Sequence, residues 1–151
     1  MQNSSYLEAK VLTAPPQQLH LMLIDGAIRF GRQAQDALQR GDQLAAATPL
    51  LRMIDIVGEL LAAVRENKSD LNRKIADLYS FLFRRVSEAK INSDGVALRE
   101  SIELLEFERQ TWQLVCDKLS SGSAKAPHAP LSQNFAVSQN KSPRSGISFE
   151  A

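Results

Sequence analysis

The chain has 151 residues, of which 44% are hydrophobic and 23% are charged, and its formal net charge is +1 at pH 7. This composition fits one soluble globular domain, and the sequence has neither the concentrated basic stripe of a nucleic-acid-binding protein nor the run of about 18–20 apolar residues that crosses a membrane. The single cysteine, Cys116, excludes an intramolecular disulfide and a multi-cysteine zinc site.

Residues 1–12 combine a polar start with a short apolar segment, which is interpreted as a short helix or an extended arm. Tyr6, Leu7 and Val11 are the side chains able to pack on the rest of the chain. Residues 1–5 carry no basic side chain and lead into no long apolar run, so no secretory signal is predicted. The cytoplasm is therefore the expected compartment.

The first long helix is predicted from about Pro15 to Gln39 and carries two apolar stripes. Thr13 is expected to cap its start, and the prolines are tolerated because the N–H groups of a first turn have no partner within the helix. An ordinary surface helix buries one stripe, so the second stripe needs a cover of its own. The first stripe consists of Leu19, Leu23, Gly26, Phe30 and Ala34, and the second of Leu21, Ile24 and Ile28.

The second helix is predicted over about Asp42–Glu66, after a stop at Gly41. Pro49 is the unusual residue in it, because a proline inside a helix removes one hydrogen bond and clashes with the preceding turn. Two outcomes are open: a kinked helix, which is favoured, or a break with a new helix that starts at Pro49 after Thr48 as its N-cap.

The third predicted helix follows a cap at Ser69 or Asp70 and runs to about Lys90, and the fourth covers about residues 95–119. Apolar residues recur along both at helical spacing. Glu108 is placed on or near the solvent face of the fourth helix. The predicted core stripe of the third helix consists of Leu71, Ile75, Leu78, Leu82 and Val86.

Four helices joined by short loops, without a strand pattern or an internal repeat, predict an all-α protein built as an antiparallel four-helix bundle. The bundle domain is expected to cover residues 1–120, with residues 1–12 as its N-terminal arm. Residues 121–151 are rich in Ser, Ala, Pro, Asn and Gln, which predicts a disordered polar tail.

No pattern for catalysis or metal binding is found. The histidines, His20 and His128, are isolated, and the aspartates lie singly, so no catalytic residue, metal, cofactor or small-molecule substrate is predicted. Histidine phosphotransfer domains are also four-helix bundles with a helical histidine. The bulky residues 21–24 after His20 would crowd a phosphate, so a polar position near a helix start is favoured.

The first two long helices carry more apolar surface than a four-helix core usually takes up. A wide core is one interpretation, and the periodicity alone favours it. The other is a groove for an amphipathic helix of a partner, shielded by the arm when empty. The groove interpretation assigns partner binding to Tyr6 and Val11 of the arm, to Leu21, Ile24 and Ile28 of the first long helix, and to Met53, Ile56 and Leu60 of the second.

The same residues resemble the FliS family of flagellin export chaperones. The resemblance begins at Tyr6, continues through Thr13–Phe30, resumes at Leu78–Lys90 and ends around Leu104–Trp112, so it covers about residues 6–119. Departures occur at Pro15, where the family usually has serine, at Ile24, where it often has tyrosine, and at Pro49, which is unexpected in the second helix.

This resemblance implies a cytoplasmic bundle that binds the C-terminal helical segment of newly made flagellin, keeps it monomeric and delivers it to the flagellar type III export apparatus. The export-gate protein FlhA is the docking partner implied there. The resemblance also implies that the N-terminal segment packs over part of the flagellin site and that Tyr6 is important. A FliS-like adaptor for a different amphipathic-helix client is the alternative, and a homodimer is the alternative state of the client-free chain.

Overall fold

The computed structural model describes residues 2–121, with side chains from Ser5 onward. In this range the chain forms α1 (Gln2–Thr13), α2 (Pro16–Gln39), α3 (Gln43–Arg65), α4 (Asp70–Asn92) and α5 (Gly95–Ser121). The tail predicted for residues 121–151 lies outside the described residues, except for Ser121, which ends α5. None of the described helices is long and apolar enough to span a bilayer.

Helices α2 to α5 form a closed four-helix bundle. Each packs against the next in chain order, and α5 completes the ring by packing against α2. The direction of packing is visible in two ion pairs between α2 and α5, Asp25 with Arg109 and Arg32 with Glu106. Residue numbers rise along α2 as they fall along α5, so the two helices are antiparallel. The predicted all-α antiparallel four-helix bundle is confirmed.

Local side-chain chemistry sets the predicted helix starts of α3 and α4. Gly41 has a φ of 74°, a left-handed conformation that glycine adopts without strain, and it separates α2 from α3. The Asp42 carboxylate then accepts a hydrogen bond from the Ala45 N–H at 3.0 Å. At α4, the Ser69 hydroxyl accepts one from the Asn72 N–H, also at 3.0 Å. Both are N-caps, as predicted.

The predicted cap at Thr13 is wrong. Thr13 is the last residue of α1, and its hydroxyl donates to the carbonyl of Ala9 at 2.9 Å. Pro15 takes the N-cap position of α2 without a side-chain hydrogen bond, and Pro16 is the first helical residue. The arm is helical as far as Thr13, so this residue belongs to the last turn of α1 and does not cap α2.

Helix α3 continues through Pro49 without interruption. The alternative of a new helix starting at Pro49 is therefore wrong. The proline lies in the second turn of α3, where the loss of a single backbone hydrogen bond is compensated by burial of the helix on both sides of it: Ala46, Leu50 and Met53 all lie in the core.

The second stripe of α2 lies in the core, and the first stripe is divided. Leu21, Ile24 and Ile28 of the second stripe are buried, and so are Gly26 and Ala34 of the first, whereas Leu19, Leu23 and Phe30 are half-buried. The core face of α2 also contains Gly31, where an added Cβ would lie 2.9 Å from Cγ1 of Ile102 and 3.1 Å from Cε of Met53. The missing side chain lets α3 and α5 approach α2 closely on this face, which selects it as the inner one.

The predicted core stripe of α4 is confirmed at Leu82 and Val86, but the core also takes in Tyr79 and Ala89 from the neighbouring face. Leu71 is exposed, and Ile75 and Leu78 are half-buried. Tyr79 enters the core because its hydroxyl finds polar partners there, which brings the neighbouring face of α4 inward. Leu71 and Leu78 are left near the surface.

Candidate partner-binding surfaces

The first candidate surface is α1, which has all of its described side chains exposed. Tyr6 is 66% exposed and Val11 is 44% exposed, and Leu7 and Leu12 are exposed beside them. An isolated helix of this length is marginal in water, and most helices in proteins are stabilised by packing of an apolar face. In this conformation α1 offers that face to solvent, so it does not shield the bundle.

The second candidate surface is a half-buried apolar strip where α2 meets α3, formed by Leu23, Gly26 and Phe30 of α2 and Ile56 of α3. The three α2 residues follow one another at i, i+3 and i+7, so they share one face of the helix. A Cβ added at Gly26 would lie 3.4 Å from Cδ1 of Ile56, which places α3 along this face. Leu23, Phe30 and Ile56 are half-buried and pack against the core from outside. We call this surface the α2–α3 groove.

The structure distributes the eight predicted partner-binding residues over three environments. Tyr6 and Val11 are exposed on α1, and Ile56 is half-buried in the α2–α3 groove. The other five are buried in the bundle core: Leu21, Ile24, Ile28, Met53 and Leu60. These five are closed to direct contact in the packed bundle, so their role in binding stays a prediction.

A buried polar cluster connects three helices at the end of the bundle near α1. Nε2 of His20 on α2 lies 2.8 Å from the Tyr79 hydroxyl of α4, which donates to Oε1 of Glu108 on α5 at 3.2 Å. The His20 ring also lies against Trp112 of α5, with 4.2 Å between ring centroids. The tyrosine hydroxyl has one proton, and it is used toward Glu108. His20 is therefore the donor to Tyr79, with its proton on Nε2.

Desolvation controls the charges in this cluster. Burial lowers the pKa of His20 to about 3, so its imidazole is neutral at pH 7. Burial and then the nearby charge of Glu108 raise the pKa of Tyr79. Burial also raises the pKa of Glu108, against hydrogen bonds from Tyr79 and Trp112 that lower it. A neutral, buried histidine is out of reach of a phosphodonor, and the cluster joins helices instead.

The expected solvent position of Glu108 is wrong, and the sequence held a signal for the correct one. Glu108 follows Leu105 by three residues and precedes Trp112 by four, which is the spacing of the core stripe of α5. A charged residue in that register either breaks the stripe or has a buried partner. The hydrogen-bond partners of Glu108 are Trp112, one turn further along α5, and Tyr79, which lies 29 positions away in sequence and which no local pattern identifies.

The described residues hold no group of three or more histidine, cysteine, aspartate or glutamate side chains suited to a metal ion. Cys116 of α5 is half-buried, and burial followed by the charge of Asp117 raises the pKa of its thiol. A raised pKa lowers the thiolate fraction at neutral pH.

A family sequence model with the description "Flagellar protein FliS" matches residues 1–119 of the chain. The chain belongs to the FliS family. The match covers α1 and the whole bundle almost to the end of α5. Residues 120–151 lie beyond it.

FliS proteins from three bacteria align with most of this chain. The flagellar secretion chaperone FliS of Salmonella typhimurium strain LT2 is 30% identical over 116 residues, which are 76% of this chain and 86% of the relative. The protein of the same name from Bacillus subtilis strain 168 is 28% identical over 110 residues, which are 73% of this chain and 82% of the relative. That of Escherichia coli K12 is 28% identical over 109 residues.

Within this FliS-family chain, the departure at Ile24 falls in the core. Ile24 is fully buried. Its side chain therefore contributes to the packing of α2 inside the bundle. Tyr6 and Val11, by contrast, are open to direct contact from outside.

Proposed function

We propose that the chain is a non-catalytic flagellar export chaperone of the cytoplasm. It binds the C-terminal helical segment of flagellin, prevents its premature polymerisation and delivers it to the flagellar type III export apparatus, with FlhA as the docking partner. The observation that carries this proposal is the FliS family match over residues 1–119. The exposed apolar helix α1 and the α2–α3 groove supply surfaces suited to an amphipathic client.

An amphipathic helix docks into a groove through apolar side chains at i, i+3, i+4 and i+7. The α2–α3 groove runs parallel to two helices and has Leu23, Phe30 and Ile56 half-exposed along it. Full burial of one large apolar side chain stabilises a complex by about 1.5–3 kcal/mol. A few such contacts, added to those of α1, are sufficient for binding in the micromolar range once the cost of association is subtracted.

In this proposal α1 closes over the client. The helix ends two residues before α2 begins, so it is tied to the bundle at the same end as the start of the groove. Tyr6 and Val11 then lose their exposed area when the client arrives, rather than before. Leu21, Ile24, Ile28, Met53 and Leu60 support the groove from the core below.

The deciding experiment measures binding of the C-terminal segment of the host's own flagellin by isothermal titration calorimetry. Wild type is expected to bind at micromolar concentration or below. Tyr6→Ala is expected to weaken binding about 5- to 30-fold, because truncating an aromatic anchor typically costs about 1–2 kcal/mol. Leu44→Ala is the matched control, because Leu44 is also an exposed apolar residue but belongs to α3, away from the groove.

Failure of the wild type to bind at tens of micromolar would count against a flagellin client. Equal losses for Tyr6→Ala and Leu44→Ala would refute the role of α1. A competing non-flagellin helix that displaces flagellin would favour the adaptor alternative. Light scattering of the client-free chain tests the homodimer, in which a second copy takes the place of the client.

A further inference from the structure

An exposed surface runs along α4 and α5, on the side of the bundle opposite the α2–α3 groove. The helices form a ring in which α2 packs on α3 and α4 packs on α5, so these two pairs form opposite sides. The seam between α4 and α5 is marked by Arg85, whose guanidinium donates to Glu100 at 2.7 Å. We call the surface around this seam the α4–α5 face, and its large apolar side chains are Phe81 of α4 and Val96, Leu104, Phe107 and Leu114 of α5.

Helix α4 contributes a stripe of five exposed residues to this face. The stripe lies beside the seam, because Phe81 and Glu88 are one turn from Arg85 in either direction. Its members stand at i, i+3, i+7, i+10 and i+14, which is the spacing at which one helix packs along another. They are Lys74, Asp77, Phe81, Arg84 and Glu88. The stripe is therefore shaped for contact with a further helix.

The charges of the α4 stripe are complementary to themselves. From Lys74 to Glu88 the order is positive, negative, apolar, positive and negative. Read from the opposite end, the order has the opposite sign at every charged position. Two copies of α4 that pack antiparallel through this stripe therefore place opposite charges next to each other, with Phe81 facing Phe81 at the centre.

The spacing along α4 agrees with this arrangement. Lys74 and Glu88 are each seven residues from Phe81, about 10.5 Å along the helix axis. Asp77 is four residues away and Arg84 is three, a difference of about 1.5 Å that a long arginine side chain covers. Among the described residues, neither Asp77 nor Arg84 forms an ion pair, so both are available to a second copy.

Helix α5 repeats the same symmetry with apolar residues. The hydrogen bonds from Arg85 to Glu100 and from Tyr79 to Glu108 place Phe81 level with residues 104–106 of α5. Leu104 and Phe107 lie on either side of this level, and so do Val96 and Leu114, each nine residues from position 105. An antiparallel second copy therefore brings Phe107 against Leu104 and Leu114 against Val96.

A second copy in the parallel orientation does not fit. A twofold axis along the helices would place α4 of one copy over α5 of the other without exchanging their ends. Glu88 would then lie within one helical turn of Glu100 of the second copy, since Arg85 and Glu100 are level. The charges thus favour a twofold axis that crosses the helices at Phe81.

The size of the face indicates a reversible association. It is about 25 Å long, and two helices packed side by side are about 18 Å wide, so each copy covers about 450 Å². The total of about 900 Å² is at the low end for specific interfaces, where complexes are weak or transient. A dimer of this size is expected to dissociate in the micromolar range.

We propose that the α4–α5 face binds the same face of a second copy of this chain, as an antiparallel dimer with its twofold axis at Phe81. Asp77 of each copy pairs with Arg84 of the other, and Lys74 of each lies next to Glu88 of the other. The α2–α3 groove and α1 of both copies stay uncovered. This dimer therefore differs from one in which a second copy takes the place of a client.

Sedimentation velocity of the full-length chain, from a few to several hundred micromolar, tests the apolar contact. Wild type is expected to shift from monomer to dimer over this range. Phe81→Ser is expected to raise the dissociation constant about 10-fold or more, because a twofold dimer contains the change twice. Phe83→Ser is the matched control on the same helix: Phe83 is 37% exposed but lies against Gly58 of α3, away from the face.

Charge reversal tests the orientation of the two copies. Asp77→Arg and Arg84→Asp are each expected to weaken the dimer about 5-fold or more, because each places like charges together twice. The double variant Asp77→Arg/Arg84→Asp restores opposite charges and is expected to recover the wild-type dissociation constant. All three changes are at exposed positions, and circular dichroism of each variant checks that the helices are retained.

Three results would overturn the proposal. The first is a wild type that stays monomeric at several hundred micromolar. The second is an equal dissociation constant for folded Phe81→Ser and Phe83→Ser, which would place the contact elsewhere. The third is a double charge variant that dimerises no better than the single ones.

Discussion

His20 shows how one buried side chain makes the stability of the bundle depend on pH. Its imidazole is enclosed by Tyr79 and Trp112 and is neutral inside the core. Unfolding releases it to water, where a histidine has its ordinary pKa of about 6.5. The unfolded chain therefore binds a proton that the folded chain refuses between these two pKa values.

The free energy of unfolding is expected to fall as the pH decreases from about 6.5 toward 3, because the folded-state pKa of His20 is depressed to about 3. The slope from this group approaches about 1.4 kcal/mol per pH unit in that window and vanishes above it. Glu108, whose pKa is raised, contributes with the opposite sign: its stability contribution is present at low pH and lost as the pH rises through its folded-state pKa.

Urea denaturation between pH 7 and pH 4.5 measures this dependence. Wild type and His20→Gln are compared, since glutamine keeps a polar side chain at the site but does not titrate. The variant is expected to show a markedly flatter profile over this range. Parallel profiles would mean that His20 does not carry the dependence.

At the scale of whole helices, small residues decide which face of α2 turns inward. Helix α2 carries two apolar stripes of similar size. The periodicity of its sequence does not show which stripe the other helices pack against. The packed structure turns the face with Ile24, Ile28 and Gly31 inward, where side chains of Met53 and Ile102 pack directly against the α2 backbone. That choice depends on the shapes of Met53 and Ile102, so it could not be made from α2 alone.

Gly31→Ala is expected to destabilise the bundle by about 1–3 kcal/mol. The new Cβ would lie 2.9 Å from Cγ1 of Ile102, and overpacking a core usually costs that amount even after the better helix propensity of alanine is counted. Gly58→Ala is the matched control within α3. Its Cβ would lie 3.5 Å from Cε2 of Phe83, an ordinary contact, so stabilisation by about 0.5–1 kcal/mol is expected.

Thermal unfolding followed by circular dichroism compares the two variants with wild type. The expected outcome is a lower midpoint for Gly31→Ala and an equal or higher midpoint for Gly58→Ala. If both substitutions raise the midpoint, close approach at Gly31 does not limit the packing of α2.

Helix ends are the features of this fold that sequence predicts best, because their causes are local. Asp42 and Ser69 cap the helices that they precede through hydrogen bonds to residues three positions on. The failure at Thr13 has the same origin: its hydroxyl is a local donor as well as an acceptor, and it bonds backward to Ala9. Which direction prevails depends on whether the preceding segment is helical.

For the molecule as a whole, the four-helix bundle follows from four periodic segments and short loops, and it is the part predicted most completely. The site is predicted less well. Tyr6 and Val11 are open to contact, but Ile24 and Met53 are in the core. An amphipathic pattern identifies the apolar side chains of each helix. How many of them are buried in the core depends on how the four helices pack together.

Removal of residues 2–12 is expected to change the free energy of unfolding of the bundle by less than about 0.5 kcal/mol, the usual range for exposed sites. The reason is that every described side chain of α1 is exposed and the bundle core is complete without it. The same deletion is expected to weaken flagellin binding under the proposed function. Chemical denaturation of the deleted and full-length chains, followed by calorimetry with the flagellin segment, checks both results.

A large loss of stability in the deleted chain would show that α1 packs on the bundle in solution. Unchanged stability with unchanged binding would confine the client to the groove. Full-length Tyr6→Ala serves as the control, because it removes one α1 contact without altering the chain start.

Pro15 and Pro16, at the junction of α1 and α2, affect the entropy of recognition. Each proline ring fixes one backbone dihedral, and Pro15 is held in an extended conformation with φ of −65° and ψ of 158°. Such a junction allows α1 fewer orientations relative to α2 than a glycine-rich junction would. A partner that orders α1 therefore removes less conformational freedom, and more of the contact energy of Tyr6 and Val11 is expressed as affinity.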